Sequence, residues 1–592
     1  MSEAVLPEKK VSFHLSRSRT AEIVFWVLAT AMLFLNLGIG GLRGSEGRWA
    51  AVVREMFLTG DFLHPTINFA PYFDKPLASY WAIAAASTFN FGTVTELMIR
   101  LPSAVAGLVT LWATRLTAER FAGKETGVIA GWILLTVYSF PFWGRLGEAD
   151  MLNLAFSTLA VGWFVLNREK TGFREYLLFG LLCAVGAQTK GLSAAAVPVL
   201  IVLADLAVSG TWKRHLNWRL PAAGVIALGV YLIPFLLASV CNKDYSGNGL
   251  ALVFQENIQR YFNSLDHKQP FYAYFIHLPQ LFLPWTPFLI LALADGIIHW
   301  KRHGSGDRWL LVSIGLVFLV FSLSDSKRVY YILPILPACA LLTARFLLSE
   351  AGTRLEKIRD WGLKLYYLLI PLLGLALFGA AAAGLFCGAK ILKFTPPAPV
   401  MHLAVLTLFL LGLILCVIWT AGRKMLPDAW FRTGRRGREF VLVSLSLAVL
   451  LTGFFGVLIP VVNETMRTEK PFFEALRRYV REHRAERVQI VFFHHDHSNA
   501  SFYLDQPGKI RVADHEAKAE PEQIGEELRQ MMKTSGGQKI MVVGQLRYFR
   551  RIHDPALRQL VLDRLTMTEP SGPWENPKKN GKKYAVLALP CR

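Results

Sequence analysis

Long apolar runs separated by short polar stretches occupy the chain from about position 21 to position 460. About thirteen of these runs approach the roughly 20 residues that an α-helix needs to cross a hydrocarbon core. Their number and length predict a polytopic membrane protein built from α-helices. The runs cover positions 21–40, 98–117, 126–143, 150–167, 176–189, 191–209, 221–241, 273–299, 309–323, 329–348, 365–388, 400–421 and 439–460.

The apolar segment 76–92 decides on which side of the membrane every later loop lies. Loops rich in lysine and arginine, such as 115–124, 167–176 and 423–438, fall on the side of the basic N-terminus only if 76–92 stays at the membrane surface. Such loops normally remain cytoplasmic. We therefore predict about thirteen transmembrane helices, an interfacial segment at 76–92 and a cytoplasmic N-terminus.

This orientation gathers the remaining polar stretches at the external face. They include the long loop 41–97 and the turns 144–150 and 324–331. After position 460, short runs rich in β-branched and aromatic residues alternate with amphipathic helical patterns, which is typical of a small α/β unit. The pattern predicts a transmembrane domain over 1–460 and a periplasmic α/β domain over 461–592.

Composition agrees with a membrane protein and excludes some partners. Hydrophobic residues make up 53% of the 592 positions and charged residues only 18%. The net charge of +21 could suggest a nucleic-acid partner, but the basic residues lie mostly in short loops between apolar runs, where they report orientation. We therefore predict no nucleic-acid partner. The six cysteines show no paired spacing, so we expect neither a disulfide framework nor a cysteine metal site.

Charged side chains recur in the external segments. Glu46, Arg48 and Lys75 lie in the first external loop, Glu148 and Asp150 lie at the end of the next turn, and the basic pair 327–328 stands at the outer end of a span. Carboxylates and cations at one face suit a reaction in which a phosphate leaves and a hydroxyl or phosphate attacks. For each charge taken singly, a solvated loop residue is the competing interpretation.

A transporter or flippase of lipid-linked saccharides is the alternative from another class of protein. It would place ionisable residues in the middle of spans and would show repeat symmetry. The polar residues cluster instead at the outer ends of the spans, and we find no internal repeat. The pattern therefore favours an enzyme.

Four stretches resemble, in order and approximate spacing, the bacterial aminoarabinose transferase family and its protein O-mannosyltransferase relatives. They are 46–81, 190–191, 266–285 and 327–342. The resemblance implies a glycosyltransferase of the C-type (GT-C) fold in the bacterial inner membrane. It implies transfer of 4-amino-4-deoxy-L-arabinose from undecaprenyl phosphate to lipid A at the periplasmic face. Transfer of another sugar to protein or polysaccharide is the alternative.

The same resemblance implies roles for individual residues. The family pattern opens with an Asp-Glu pair whose Asp is the proposed catalytic group, whereas this chain has Ser45-Glu46. Glu46, expected to point toward the sugar, and Asp150 across the cavity are both candidates for the catalytic carboxylate. Ser45→Asp, which restores the pair, is expected to be tolerated. The residues implied to bind the donor phosphate are Arg48, Lys75, Arg260, Lys327, Arg328 and Tyr331.

Two external residues suggest a metal site. Asp74 and His267 could share a divalent ion such as zinc. Two ligands are few for a metal site, and ordinary loop hydrogen bonding is the alternative.

The predicted topology can be tested with reporter fusions. A reporter fused after Gly434 should give a cytoplasmic signal, and one fused after Glu464 a periplasmic signal, because one span separates the two positions. The reverse pair of signals would show that 76–92 crosses the membrane.

Overall fold

The computed structural model describes most of the chain, and Arg260 and His267 lie outside the described residues. The described ranges are 19–241, 268–392, 398–427, 433–466, 469–483, 488–493, 498–512, 526, 528–531, 533, 539–568 and 584–589.

Helices form the first four fifths of the fold. The first nine are α1 (Arg19–Phe34), α2 (Glu46–Thr59), α3 (Leu77–Thr88), α4 (Glu96–Ala122), α5 (Lys124–Thr136), α6 (Ser139–Gly144), α7 (Asp150–Leu166), α8 (Phe173–Lys190) and α9 (Ser193–Ser209). The next nine are α10 (Arg219–Cys241), α11 (Ala273–Leu281), α12 (Thr286–Ile298), α13 (Ser305–Leu323), α14 (Leu336–Leu348), α15 (Arg354–Leu392), α16 (Ala398–Met425), α17 (Arg435–Gly453) and α18 (Ile459–Met466).

The long apolar helices make this an integral membrane protein. Within the described residues, 7 helices are long and apolar enough to cross a bilayer, and the bent pair α11 and α12 would make 8 if it counts as one span. The shorter helices α7 and α9 are also apolar. The total of about thirteen spans stays a prediction. By contrast α3 has 12 residues, a length of about 18 Å, which suits a segment at the membrane surface.

A short hairpin precedes α3 and pairs β1 (Thr66–Ile67) with β2 (Ala70–Pro71).

A five-stranded sheet follows the helices. Its strands are β3 (Gln489–Phe492), β4 (Arg511–Val512), β5 (Ile540–Gln545), β6 (Leu565–Thr568) and β7 (Tyr584–Leu589). They lie in the order β4-β3-β5-β7-β6, in which β3 pairs in parallel with β4 and β5, whereas β7 pairs antiparallel with β5 and β6. Strands β3, β5 and β7 coincide with apolar runs expected to be strands from the sequence. The helices beside the sheet are α19 (Lys470–Glu482), α20 (Ser498–Leu504), α21 (Leu546–Phe549) and α22 (Pro555–Asp563).

The sheet and its helices pack against α2. Trp49 and Val52 of α2 share one apolar core with Phe473 of α19, so burial of apolar surface holds the two parts together. Gly47 lies so close to α20 that a methyl group there would overlap the side chain of Asn499. Because α2 is clamped from this side, residues on its opposite face are held in a fixed place.

A buried ion pair holds the chain that leads into α2. Arg100 donates from Nε to Glu46 Oε1 and from a terminal nitrogen to Oε2, each over 2.9 Å, and both side chains are at most 1% exposed. Arg100 also donates to the backbone carbonyls of Gly40 and Gly41, while Glu46 accepts from the N–H of Gly147. Burial alone would raise the pKa of Glu46, but the charge and hydrogen bonds of Arg100 hold it below its usual value.

Removal of Arg100 should therefore destabilise the protein. Arg100→Ala leaves the Glu46 carboxylate buried and unpaired, which costs on the order of 3–5 kcal/mol. We expect a large fall in the thermal unfolding midpoint of the detergent-purified chain, followed by intrinsic fluorescence.

Arg214→Ala is the matched control, because its partner Glu169 has an 80% exposed side chain. A surface pair of this kind contributes little, so the midpoint should stay near that of the wild type. Equal midpoints for Arg100→Ala and Arg214→Ala would contradict the role given to the buried pair.

Candidate functional site

A cavity of about 490 Å³ opens at the end of the helical bundle where segment 41–97 lies. Its walls come from α2, from the loop before α3, from the facing ends of α7, α8 and α9, and from segment 320–334. The segments that were predicted to carry the candidate chemistry therefore meet at one site. The charged side chains that line the cavity are Arg48, Lys75, Lys190, Arg328, Asp74, Glu148 and Asp150.

The lining carries one more cation than carboxylate when all of these groups are ionised. A site of this charge attracts an anion, and the cations can contact phosphate oxygens through charge-assisted hydrogen bonds. The predicted residues Arg48, Lys75, Arg328 and Tyr331 all line the cavity.

Four polar residues form a cluster on the α2 side of the cavity. The Nζ of Lys75 lies 3.1 Å from Asp74 Oδ2, and the guanidinium of Arg48 lies 3.9 Å from the same oxygen. Arg48 also donates to the Tyr72 hydroxyl over 3.1 Å. Burial, with the nearby charge of Asp74, raises the pKa of Tyr72 to about 12, so this hydroxyl keeps its proton at neutral pH.

These contacts bear on the predicted metal site. The Asp74 carboxylate already contacts two cationic side chains, those of Lys75 and Arg48, and His267 lies outside the described ranges. Within those ranges no group of three or more His, Cys, Asp or Glu side chains could hold a metal ion. The zinc site stays a prediction.

Asp150 and Lys190 form an ion pair in the cavity wall. Asp150 is the first residue of α7 and Lys190 the last of α8, so the pair joins the cavity ends of two neighbouring helices. The Nζ of Lys190 also lies 4.2 Å from the ring centroid of Tyr330, within reach of a cation–π contact. Lys190 was not among the predicted site residues, although it lies in one of the stretches that carry the family resemblance.

Glu148, one of the charged residues noted in the turn 144–150, also lines the cavity, although no binding or catalytic role was predicted for it. It precedes α7 in the turn 144–150, and its Oε1 accepts a hydrogen bond of 2.5 Å from Ser45 Oγ. Burial and the neighbouring Asp150 raise the pKa of Glu148. A carboxyl group in this state can hold or accept a proton closer to neutral pH than an exposed glutamate can.

Two predicted site residues lie elsewhere. The expectation that Glu46 points toward a sugar is wrong, because α2 begins at Glu46 and the carboxylate turns away from the cavity to pair with Arg100. The expectation that Lys327 binds the donor phosphate is also wrong. Lys327 is only 3% exposed, and its Nζ donates to the backbone carbonyls of Ser324 and Gln269. Both side chains are structural.

Comparisons with known proteins point to one group of enzymes. Residues 74–237 match the family described as dolichyl-phosphate-mannose-protein mannosyltransferase. Proteins named undecaprenyl phosphate-alpha-4-amino-4-deoxy-L-arabinose arabinosyl transferase are similar to this chain over longer ranges. The one from Edwardsiella ictaluri is 31% identical over 58% of this chain and 63% of its own length, and the one from Enterobacter sp. (strain 638) is 31% identical over 64% and 69%.

The chain thus spans a little less than two thirds of the Edwardsiella relative. Among solved structures, ArnT from Cupriavidus metallidurans bound to undecaprenyl phosphate superposes with a TM-score of 0.68. The match covers 96% of this chain and 98% of that one at 18% sequence identity. The two proteins share a fold.

Proposed function

We propose a glycosyltransferase activity for this chain, which belongs to the undecaprenyl phosphate-α-4-amino-4-deoxy-L-arabinose arabinosyl transferase family. The donor is 4-amino-4-deoxy-L-arabinose carried on undecaprenyl phosphate, and the acceptor is a phosphate of lipid A. The observation that carries the proposal is the cation-rich cavity at the external end of the bundle. The reaction takes place at the periplasmic face of the bacterial inner membrane.

The cations of the cavity suit the departure of undecaprenyl phosphate. As the bond between sugar C1 and the donor phosphate oxygen breaks, negative charge grows on that phosphate. Arg48, Lys75 and Arg328, with the hydroxyl of Tyr331, line the space that the phosphate would occupy. Charge-assisted contacts that strengthen as the charge grows lower the barrier, because they bind the transition state better than the ground state.

The carboxylates lie on the α7 side of the same cavity. Asp150 and Glu148 stand where two helices and the loop before α2 meet, beside Ser45 and Lys190. An acceptor phosphate that attacks C1 needs room beside such groups, which can orient it and take its proton. We therefore place the donor phosphate near the cations of loop 41–97 and the acceptor near these carboxylates.

A protein that only moves a lipid-linked saccharide across the membrane is the alternative, and product analysis separates the two. A transferase releases free undecaprenyl phosphate and increases the mass of the acceptor by one sugar residue, whereas a flippase does neither. Purified protein, the aminoarabinosyl donor and lipid A are sufficient for the assay, with mass spectrometry as the measurement. Absence of both products from wild-type protein that binds the donor would overturn the proposed function.

Lys75→Ala should reduce transfer by about tenfold or more. The substitution removes a cation whose charge-assisted contact is worth on the order of 1.5–3 kcal/mol. The measurement is the initial rate at limiting donor concentration.

Lys509→Ala serves as the control, because Lys509 is an exposed lysine of the α/β part outside the cavity. It should keep the wild-type rate. A wild-type rate for Lys75→Ala under the same conditions would show that the donor phosphate binds elsewhere.

A further inference from the structure

Three carboxylates line the cavity, and one of them differs from the other two in its partners. Asp74 lies within 4 Å of Lys75 and Arg48, and Asp150 is paired with Lys190. Glu148 forms no ion pair with any residue that the structure describes, and its one side-chain hydrogen bond comes from Ser45 to Oε1. Its Oε2 therefore keeps its hydrogen-bonding capacity for a ligand in the cavity.

The contact between Ser45 and Glu148 needs a hydrogen-bond donor at position 45, because the carboxylate at position 148 accepts the bond. Ser45 Oγ lies 2.5 Å from Glu148 Oε1, so an aspartate at position 45 would bring a second carboxylate against the first. Two carboxylates that share a site cannot both ionise readily. The contact between Ser45 and Glu148 thus contains a single carboxylate. Glu148 supplies it from the turn before α7, and the loop before α2 supplies only the hydroxyl of Ser45.

The positions of both residues are fixed by the backbone. Gly44, with φ of 57°, adopts the left-handed conformation that turns the chain just before Ser45. On the other side, Gly147 donates its N–H to the buried Glu46 over 2.8 Å, and Ser103 Oγ donates to the carbonyl of Glu148 over 3.0 Å. The carboxylate of Glu148 is therefore held at the cavity wall.

We propose that Glu148 is the catalytic base of this enzyme, with Ser45 as its positioning residue. This inference rests on the proposed function. Glu148 Oε2 takes the proton of a singly protonated acceptor phosphate as that phosphate's oxygen forms a bond to sugar C1. The bond from C1 to the donor phosphate oxygen breaks, and its electron pair leaves with undecaprenyl phosphate. One proton moves to Glu148 and returns to water after the product has left.

The chemistry of the two groups suits this step. The second ionisation of a phosphate monoester has a pKa of about 6 in water, and the carboxylates Asp150 and Glu148 beside the bound acceptor favour its singly protonated form, because like charges disfavour a further ionisation. Burial and the charge of Asp150 make Glu148 a stronger base than an exposed glutamate. Proton transfer is most effective when the pKa values of the base and of the working medium are close. Asp150, already paired with Lys190, then orients the acceptor or the sugar.

A carboxylate exchange tests the proposal in the full-length protein. Glu148→Gln keeps the size of the side chain but cannot accept the proton, and we expect it to lower kcat by about 10²-fold or more, the usual contribution of a general base. The KM for the donor should change little, because the cations of the donor site are untouched. Ser45→Asp should also lose activity, contrary to the sequence-based expectation, because it places two carboxylates in contact.

The double variant Ser45→Asp with Glu148→Gln moves the single carboxylate across the contact. Its kcat should be at least about tenfold higher than that of Glu148→Gln alone. A gain of this size is smaller than the usual contribution of a general base. A merely structural role for Glu148 gives no reason for such recovery. The exposed Glu169→Gln is the control and should match the wild type. A wild-type kcat for Glu148→Gln, or a double variant no more active than Glu148→Gln, would overturn the proposal.

The pH dependence of kcat provides an independent measurement. A base works only when ionised, so the wild-type rate should fall as the pH drops through the pKa of Glu148. In Glu148→Gln the acidic limb should instead follow the ionisation of the acceptor phosphate itself, because without the base only the doubly ionised phosphate attacks, and a limb at the same pH as in the wild type would contradict the assignment. Failure of the proposed function itself has a different signature, since wild-type protein would then form no product at any pH.

Discussion

The buried pair of Arg100 and Glu46 is the interaction on which the geometry of the cavity depends. Arg100 binds the carbonyls at the end of the first apolar segment, and Glu46 binds the N–H of Gly147. One ion pair thus connects the loop that carries Ser45 with the turn that carries Glu148. Charges so deeply buried are tolerated only when their hydrogen bonds are satisfied, and here both carboxylate oxygens and several backbone carbonyls take part.

The α/β part completes this arrangement from the outside. Tyr503 accepts from the N–H of Leu42 over 2.8 Å and donates to Glu96 over 3.2 Å, and Lys470 lies 2.8 Å from the same carboxylate. These contacts connect the sheet region to the N-terminus of α4 and to the loop before α2. Since α2 contributes Arg48 and Trp49 to the cavity, the packing of the α/β part fixes one of its walls.

Sequence patterns predicted the features that depend on local periodicity. The apolar runs, three strands of the tail and the segments that carry the charges of the cavity follow from hydropathy and charge patterns alone. Long-range pairing could not be predicted in this way. Glu46 finds its partner 54 residues away in Arg100, and Lys327 finds its acceptors in the carbonyls of Ser324 and Gln269. Either residue would have suited a ligand site equally well by sequence.

Two lining residues for which no binding or catalytic role was predicted illustrate the same limit. Lys190 lies at the end of an apolar helix, where a snorkelling lysine is the ordinary interpretation. Glu148 becomes informative only through its contact with Ser45, a residue 103 positions earlier. The sequence shows Ser45 where the resemblance implies an Asp, but only the structure shows that Ser45 contacts Glu148.

A structure of the protein with undecaprenyl phosphate, by cryo-electron microscopy or crystallography, would locate the donor phosphate. We expect the phosphate in the cavity of about 490 Å³, with its oxygens about 3 Å from the cations of Lys75 or Arg328. Glu148 should then remain open to the space beside it. A phosphate bound instead in the pocket at the opposite end of the bundle, which Arg120, Arg168 and Lys170 line, would contradict the account.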